Sequence, residues 1–65
     1  MSDYQISCIK SYIKYICEFE LDEDDDDRVK RTFISIYAKN ILRQSKINDN
    51  LQKKIINDLY IEFGV

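Results

Sequence analysis

The residues best equipped for chemistry are six consecutive acids, Asp22, Glu23, Asp24, Asp25, Asp26 and Asp27, followed at once by Arg28. Oxygen ligands at Asp22, Asp24 and Asp26 have the alternation of a calcium-binding loop, but such a loop also requires a glycine at its sixth position and a glutamate at its twelfth. Counted from Asp22, those positions hold Asp27 and Phe33. The run is therefore not an EF-hand loop, and neither a metal nor a cofactor is expected. Acids placed just ahead of a helix meet the partial positive charge at its amino end, each contact contributing about 0.3–1 kcal/mol. The alternative use is an acidic patch, Asp22 to Asp27, that imitates a phosphate backbone and binds a basic or nucleic-acid-binding protein.

Catalysis has few parts available. The chain has no histidine, no tryptophan and a single glycine, so a nucleophile beside its base and a glycine-rich phosphate cradle both lack members. Glu18 and Glu20 have no recognisable pocket to tune them as a catalytic pair. The expectation is a protein that is not an enzyme. Cys8 and Cys17 are nine positions apart, or about 13.5 Å along one helix, against the roughly 7 Å that a disulfide permits between Cα atoms. They read as buried, reduced thiols of a reducing compartment.

Aromatic residues carry the stronger functional signal. Tyr4, Tyr12, Tyr15, Tyr37 and Tyr60 stand among eleven isoleucines and three phenylalanines in a chain of 65 residues, more apolar surface than one small core can hide. Tyrosine is enriched at binding hot spots, and contiguous apolar surface left outside marks a partner or self-association site. The candidate partner-binding residues are Tyr12, Tyr15, Phe19, Phe33, Tyr37 and Tyr60.

The elements that must position them follow from periodicity. Ile6, Ile9, Ile13 and Ile16 recur at helical spacing with Cys17 beside them, predicting a helix over about 3–20 capped by Ser2 or Asp3. Ile13, Tyr15, Cys17, Phe19 and Leu21 also alternate, so a strand over 13–21 is the competing reading. After the acidic connector 21–27, Asp26 or Asp27 caps a second helix over 27–44. Its expected apolar face is Val29, Phe33, Ile36, Tyr37 and Ile41, widened by Ile34, Ala38 and Leu42. Asn48, Asp49 or Asn50 caps a third helix over 50–63, with Leu51, Ile55, Ile56, Leu59 and Phe63 inward and Gly64 as its stop. The expected fold is all-α, one domain over 1–65 forming a small three-helix bundle. A chain this short buries only about 60% of its unfolded surface, and with disulfide and metal unavailable, self-association is the remaining supplement.

Charge is distributed unevenly. Up to Asp27, nine acids face Lys10 and Lys14 for a balance of −7; from Arg28 onward eight bases face three acids for +5, giving the net −2. The bases are spread over two helices, so direct nucleic-acid binding is not expected. Arg28 and Arg31 are expected to pair with Asp24 to Asp27. Met1-Ser2-Asp3 has no basic segment of a secretory signal, and no apolar run approaches the 18 or more residues of a membrane span. The expected location is intracellular, cytoplasmic or nuclear, with no membrane association. Many isoleucines, lysines, asparagines and tyrosines follow AT-rich codons, as in many large DNA viruses, phages, protists and low-GC bacteria. The order Cys17-Glu18, Ile36-Tyr37 and Ile47-Asn48 resembles the middle helices of regulator-of-G-protein-signalling domains; those domains are longer, and no site residue is carried over from them. The functional expectation is a regulatory module that binds a protein partner, or itself, through an apolar, tyrosine-bearing helix face.

Overall fold

A computed structural model of the chain describes residues 2–65. It consists of three α-helices, α1 (Asp3–Glu20), α2 (Asp27–Gln44) and α3 (Asp49–Phe63), packed against one another as a small bundle. The strand reading of 13–21 is overturned, since helix α1 runs unbroken over 13–20 and Leu21 is its cap. Its inward face wins because Ile13 and Cys17, one turn apart, are both fully buried.

Side chains define where each helix starts. At α1 the Ser2 Oγ accepts from the Gln5 backbone N–H at 3.2 Å, and Gln5 Oε1 accepts from the Ser2 N–H at 3.0 Å. This reciprocal capping box satisfies two backbone donors that would otherwise have no partner. Asp26 caps α2 by accepting from the Val29 N–H at 2.8 Å, and Asn48 caps α3 by accepting from the Leu51 N–H at 2.8 Å.

Two helix ends use the same closing bonds with different residues. After α2 the Lys46 N–H donates to the Arg43 carbonyl and the Ile47 N–H to the Leu42 carbonyl; after α3 the Gly64 N–H donates to Ile61 and the Val65 N–H to Tyr60. Both turns require a left-handed residue. Gly64 has φ 71° and Lys46 has φ 59°, so the lysine bears a steric cost that the glycine avoids. Ile47, at the end of the first of these turns, is buried with Leu42 and fixes the entry into α3.

The core is made of Ile13 and Cys17 from α1, Ile34, Ala38 and Leu42 from α2, Ile47 from the connector, and Ile55, Ile56 and Leu59 from α3. The expected face of α2 is therefore rotated. Its centre is the line Ile34, Ala38 and Leu42, while Tyr37 and Ile41 are half-buried at its edge and Phe33 and Ile36 are exposed. Ala38, the only alanine of the chain, gives the physical reason: a small side chain at the middle of the helix lets the other two approach closely.

Candidate protein-docking face

The side chains left outside the core are concentrated on α1. Tyr4 is 78% exposed, Tyr12 57%, Tyr15 69% and Phe19 80%, and Cys8 between them is also exposed. Positions 4, 8, 12, 15 and 19 fall within an arc of about 80° on a helix that turns about 100° per residue. The five form a seam along the whole of α1, opposite its buried stripe. No charged residue interrupts it. Ser7, Ser11 and Glu18 border one side, and Gln5 with half-buried Ile16 borders the other. A stripe of spacings four and three is what one helix presents when another lies against it. Aromatic residues suit such a surface because they offer large area at few rotatable bonds.

The six aromatics expected to bind a partner are divided by the fold. Tyr12, Tyr15 and Phe19 share the α1 seam. Phe33 and Tyr37 lie on α2 with their rings stacked, centroids 6.1 Å apart and 19° between planes, and Tyr37 also packs on the core. Tyr60 is half-buried on α3, and the Arg31 guanidinium carbon lies 5.2 Å from its ring centroid. That cation–π contact replaces the expected pairing of Arg31 with the acids. Among the described residues the ion pairs are those of Lys10, whose Nζ lies 4.0 Å from both Asp58 and Glu62 on α3. Arg28 and Arg31 form none with Asp24 to Asp27.

Tyr4 and Cys8 were outside the expected set and complete the seam. Their signal was present as spacing, since they extend Tyr12, Tyr15 and Phe19 by two turns in the same register. Cys8 also corrects the reading of both cysteines as buried. Cys17 alone is in the core, where burial, with Glu18 as a smaller contribution, pushes its thiol up from 9.0 to about 11.

The acid run has structural work to do. The Asp22 N–H donates to Asp25 Oδ2 at 3.0 Å, the Asp24 N–H to Asp22 Oδ1 at 3.3 Å, and the Asp25 N–H to the Asp22 carbonyl at 3.1 Å. With Asp26 capping α2, the carboxylates of Asp22, Asp25 and Asp26 are engaged by backbone donors; Glu23, Asp24 and Asp27 face outward, exposed. Among the described residues no cluster of three or more acids, cysteines or histidines converges to hold a metal ion. The depression beside this loop, lined by Glu18, Leu21, Asp22, Glu23, Lys30 and Phe63, measures about 240 Å³, below the roughly 300–1,000 Å³ of small-molecule sites. Among the described residues no helix is long and apolar enough to cross a membrane.

Protein-family models, curated proteins and solved structures were each compared with the chain, and none matches.

Proposed function

We propose that this protein is a non-enzymatic interaction module that docks a helix of a protein partner along the outer face of α1. The observation that supports it is the exposed, uncharged seam Tyr4, Cys8, Tyr12, Tyr15 and Phe19. Solvent-exposed helix faces of a single folded unit are normally polar, so a second apolar stripe on α1 is unexplained by folding alone. The bundle provides the rigid support and the seam provides the contact. Phe33 and Ile36, exposed on α2 beside half-buried Tyr37, make a shorter and less exposed patch, and Ile61 stands alone on α3.

The test is affinity capture from the native cell or host, comparing the unaltered chain with Tyr12→Lys/Tyr15→Lys and with a chain carrying Glu23→Gln, Asp24→Asn and Asp27→Asn. Those three acids make no capping bond, so their removal leaves the loop intact. Proteins retained by the unaltered chain are expected to be lost from the tyrosine variant and kept by the acid variant. Loss confined to the acid variant, together with release by moderate salt, would overturn this reading and favour an acidic mimic that binds a basic protein.

A further inference from the structure

Resting on that reading, we infer that the occupant of the α1 seam is a second copy of this chain, lying antiparallel so that α1 packs on α1 about a twofold axis between Ser11 and Tyr12. The order of the seam carries this. Reversing α1 about that midpoint places Tyr4 opposite Phe19, Cys8 opposite Tyr15, and the two Tyr12 rings beside each other at the axis, one residue apart. Four of the five seam positions map onto seam positions, and Tyr12 falls opposite the bordering Ser11. A twofold interface requires such self-complementarity, because the same patch serves both partners.

Electrostatics selects the antiparallel arrangement over the parallel one. In a parallel pair both acid runs, which begin two residues beyond Glu20, would lie on the same end of the pair, about the 8–10 Å spacing of packed helices apart and close to the ~8 Å screening distance of physiological salt. In the antiparallel pair they are separated by the length of α1, about 27 Å for 18 residues, and are screened from each other. Each run then lies near the amino end of the partner's α1, where the partial positive charge of the helix offsets the single acid there, Asp3. The borders of the seam add no conflict: Glu18 is its one charged neighbour, and the twofold sets the two Glu18 side chains at opposite ends.

The area is also appropriate. At about 150–250 Å² per fully exposed aromatic side chain, the four rings at their observed exposures present on the order of 400–700 Å² per copy. A standard interface takes about 800 Å² per partner. Ring area plus the serine and isoleucine borders comes close to that figure.

Sedimentation of the reduced chain over a wide concentration range is combined with disulfide mapping. Expected are a monomer–dimer equilibrium, its loss in Tyr12→Lys with helical circular dichroism unchanged, and oxidative cross-linking of the dimer in Cys8→Ser/Tyr4→Cys/Phe19→Cys. Positions 4 and 19 are about 22 Å apart within one helix, so those thiols can join only between copies. Cys8 in the unaltered chain should resist cross-linking, since the antiparallel register offsets it from the other Cys8 by seven residues, about 10 Å along the axis, beyond disulfide reach. A strictly monomeric chain overturns the inference and leaves the docking face to a different protein. Ready Cys8 to Cys8 bridging with no cross-link through positions 4 and 19 overturns the antiparallel arrangement. A dimer that persists in Tyr12→Lys/Tyr15→Lys overturns this inference, since it forms through another surface, while the docking face itself stands or falls by the capture test.

Discussion

Helix α1 has two apolar stripes, one buried in the core and one exposed, and their difference distinguishes a folding face from the face proposed for binding. The inward stripe, Ile6, Ile9, Ile13 and Cys17, is aliphatic and packs on α2 and α3. The outward stripe, Tyr4, Cys8, Tyr12, Tyr15 and Phe19, is aromatic and exposed. Both have helical periodicity, so spacing alone cannot say which is the core. Composition can: β-branched isoleucines fill an interior without unmatched polar atoms, whereas tyrosine keeps a hydroxyl that water or a partner satisfies.

The comparison is most easily broken at Ile13. Truncation to alanine removes a fully buried side chain and is expected to cost about 2–5 kcal/mol. For a chain of this length total stability is on the order of 3–10 kcal/mol, so Ile13→Ala should remove a large share of it. Urea unfolding followed by circular dichroism measures it. A loss below about 1 kcal/mol would mean that the inward stripe is not the core.

Cys17 allows the same stripe to be probed by pH. Its thiol ionises at about 11 in the folded chain against 9.0 for the ordinary group. The proton is thus held more tightly when folded, and the unfolded state ionises first as pH rises. The contribution is complete below pH 9 and is lost between pH 9 and about 11, by on the order of 3 kcal/mol. Measured against Cys17→Ala, which has no such group, the unaltered chain should show this additional decline. Parallel curves would remove Cys17 from the core. Exposed Cys8 should react with a thiol reagent in the folded protein while Cys17 reacts only on unfolding.

Much of the fold was legible because its boundaries are set by local chemistry. Ser2, Asp26 and Asn48 each cap a helix through their own side chain, and Gly64 ends one by a backbone conformation it adopts without strain. What was not legible depends on the third dimension. Which arc of α2 faces inward is decided by two neighbours at once, and its apolar residues cover too much of the helix for periodicity to choose. The fate of Tyr60 depended on Arg31 across a helix boundary. Three of the five α1 seam residues were recognised by residue type; Cys8 and Tyr4 belonged to it by spacing.

The two helix ends provide a smaller contrast. Lys46 adopts the left-handed conformation with a side chain, where Gly64 has none. Lys46→Gly should stabilise the chain by about 0.5–1 kcal/mol, offset in part by the greater freedom glycine has when unfolded. Thermal unfolding would resolve the gain as a rise in Tm of a few degrees. Destabilisation would instead show that the Lys46 side chain has packing work that outweighs its backbone strain.

The smallest expected effect gives the sharpest distinction. Tyr15 is on the same helix as Ile13, two positions away, yet Tyr15→Ala should change the stability of the dilute chain by no more than about 0.5 kcal/mol. The size of that change depends on concentration. A chain that associates only when folded gains stability as its partner becomes more abundant, so the unaltered protein should melt at higher temperature when concentrated and Tyr15→Ala should not. The two melting curves ought to coincide at low concentration and diverge as it rises. If they are separated equally at every concentration, Tyr15 contributes to the fold of the single chain, and the division of α1 into a folding face and a binding face fails at that residue.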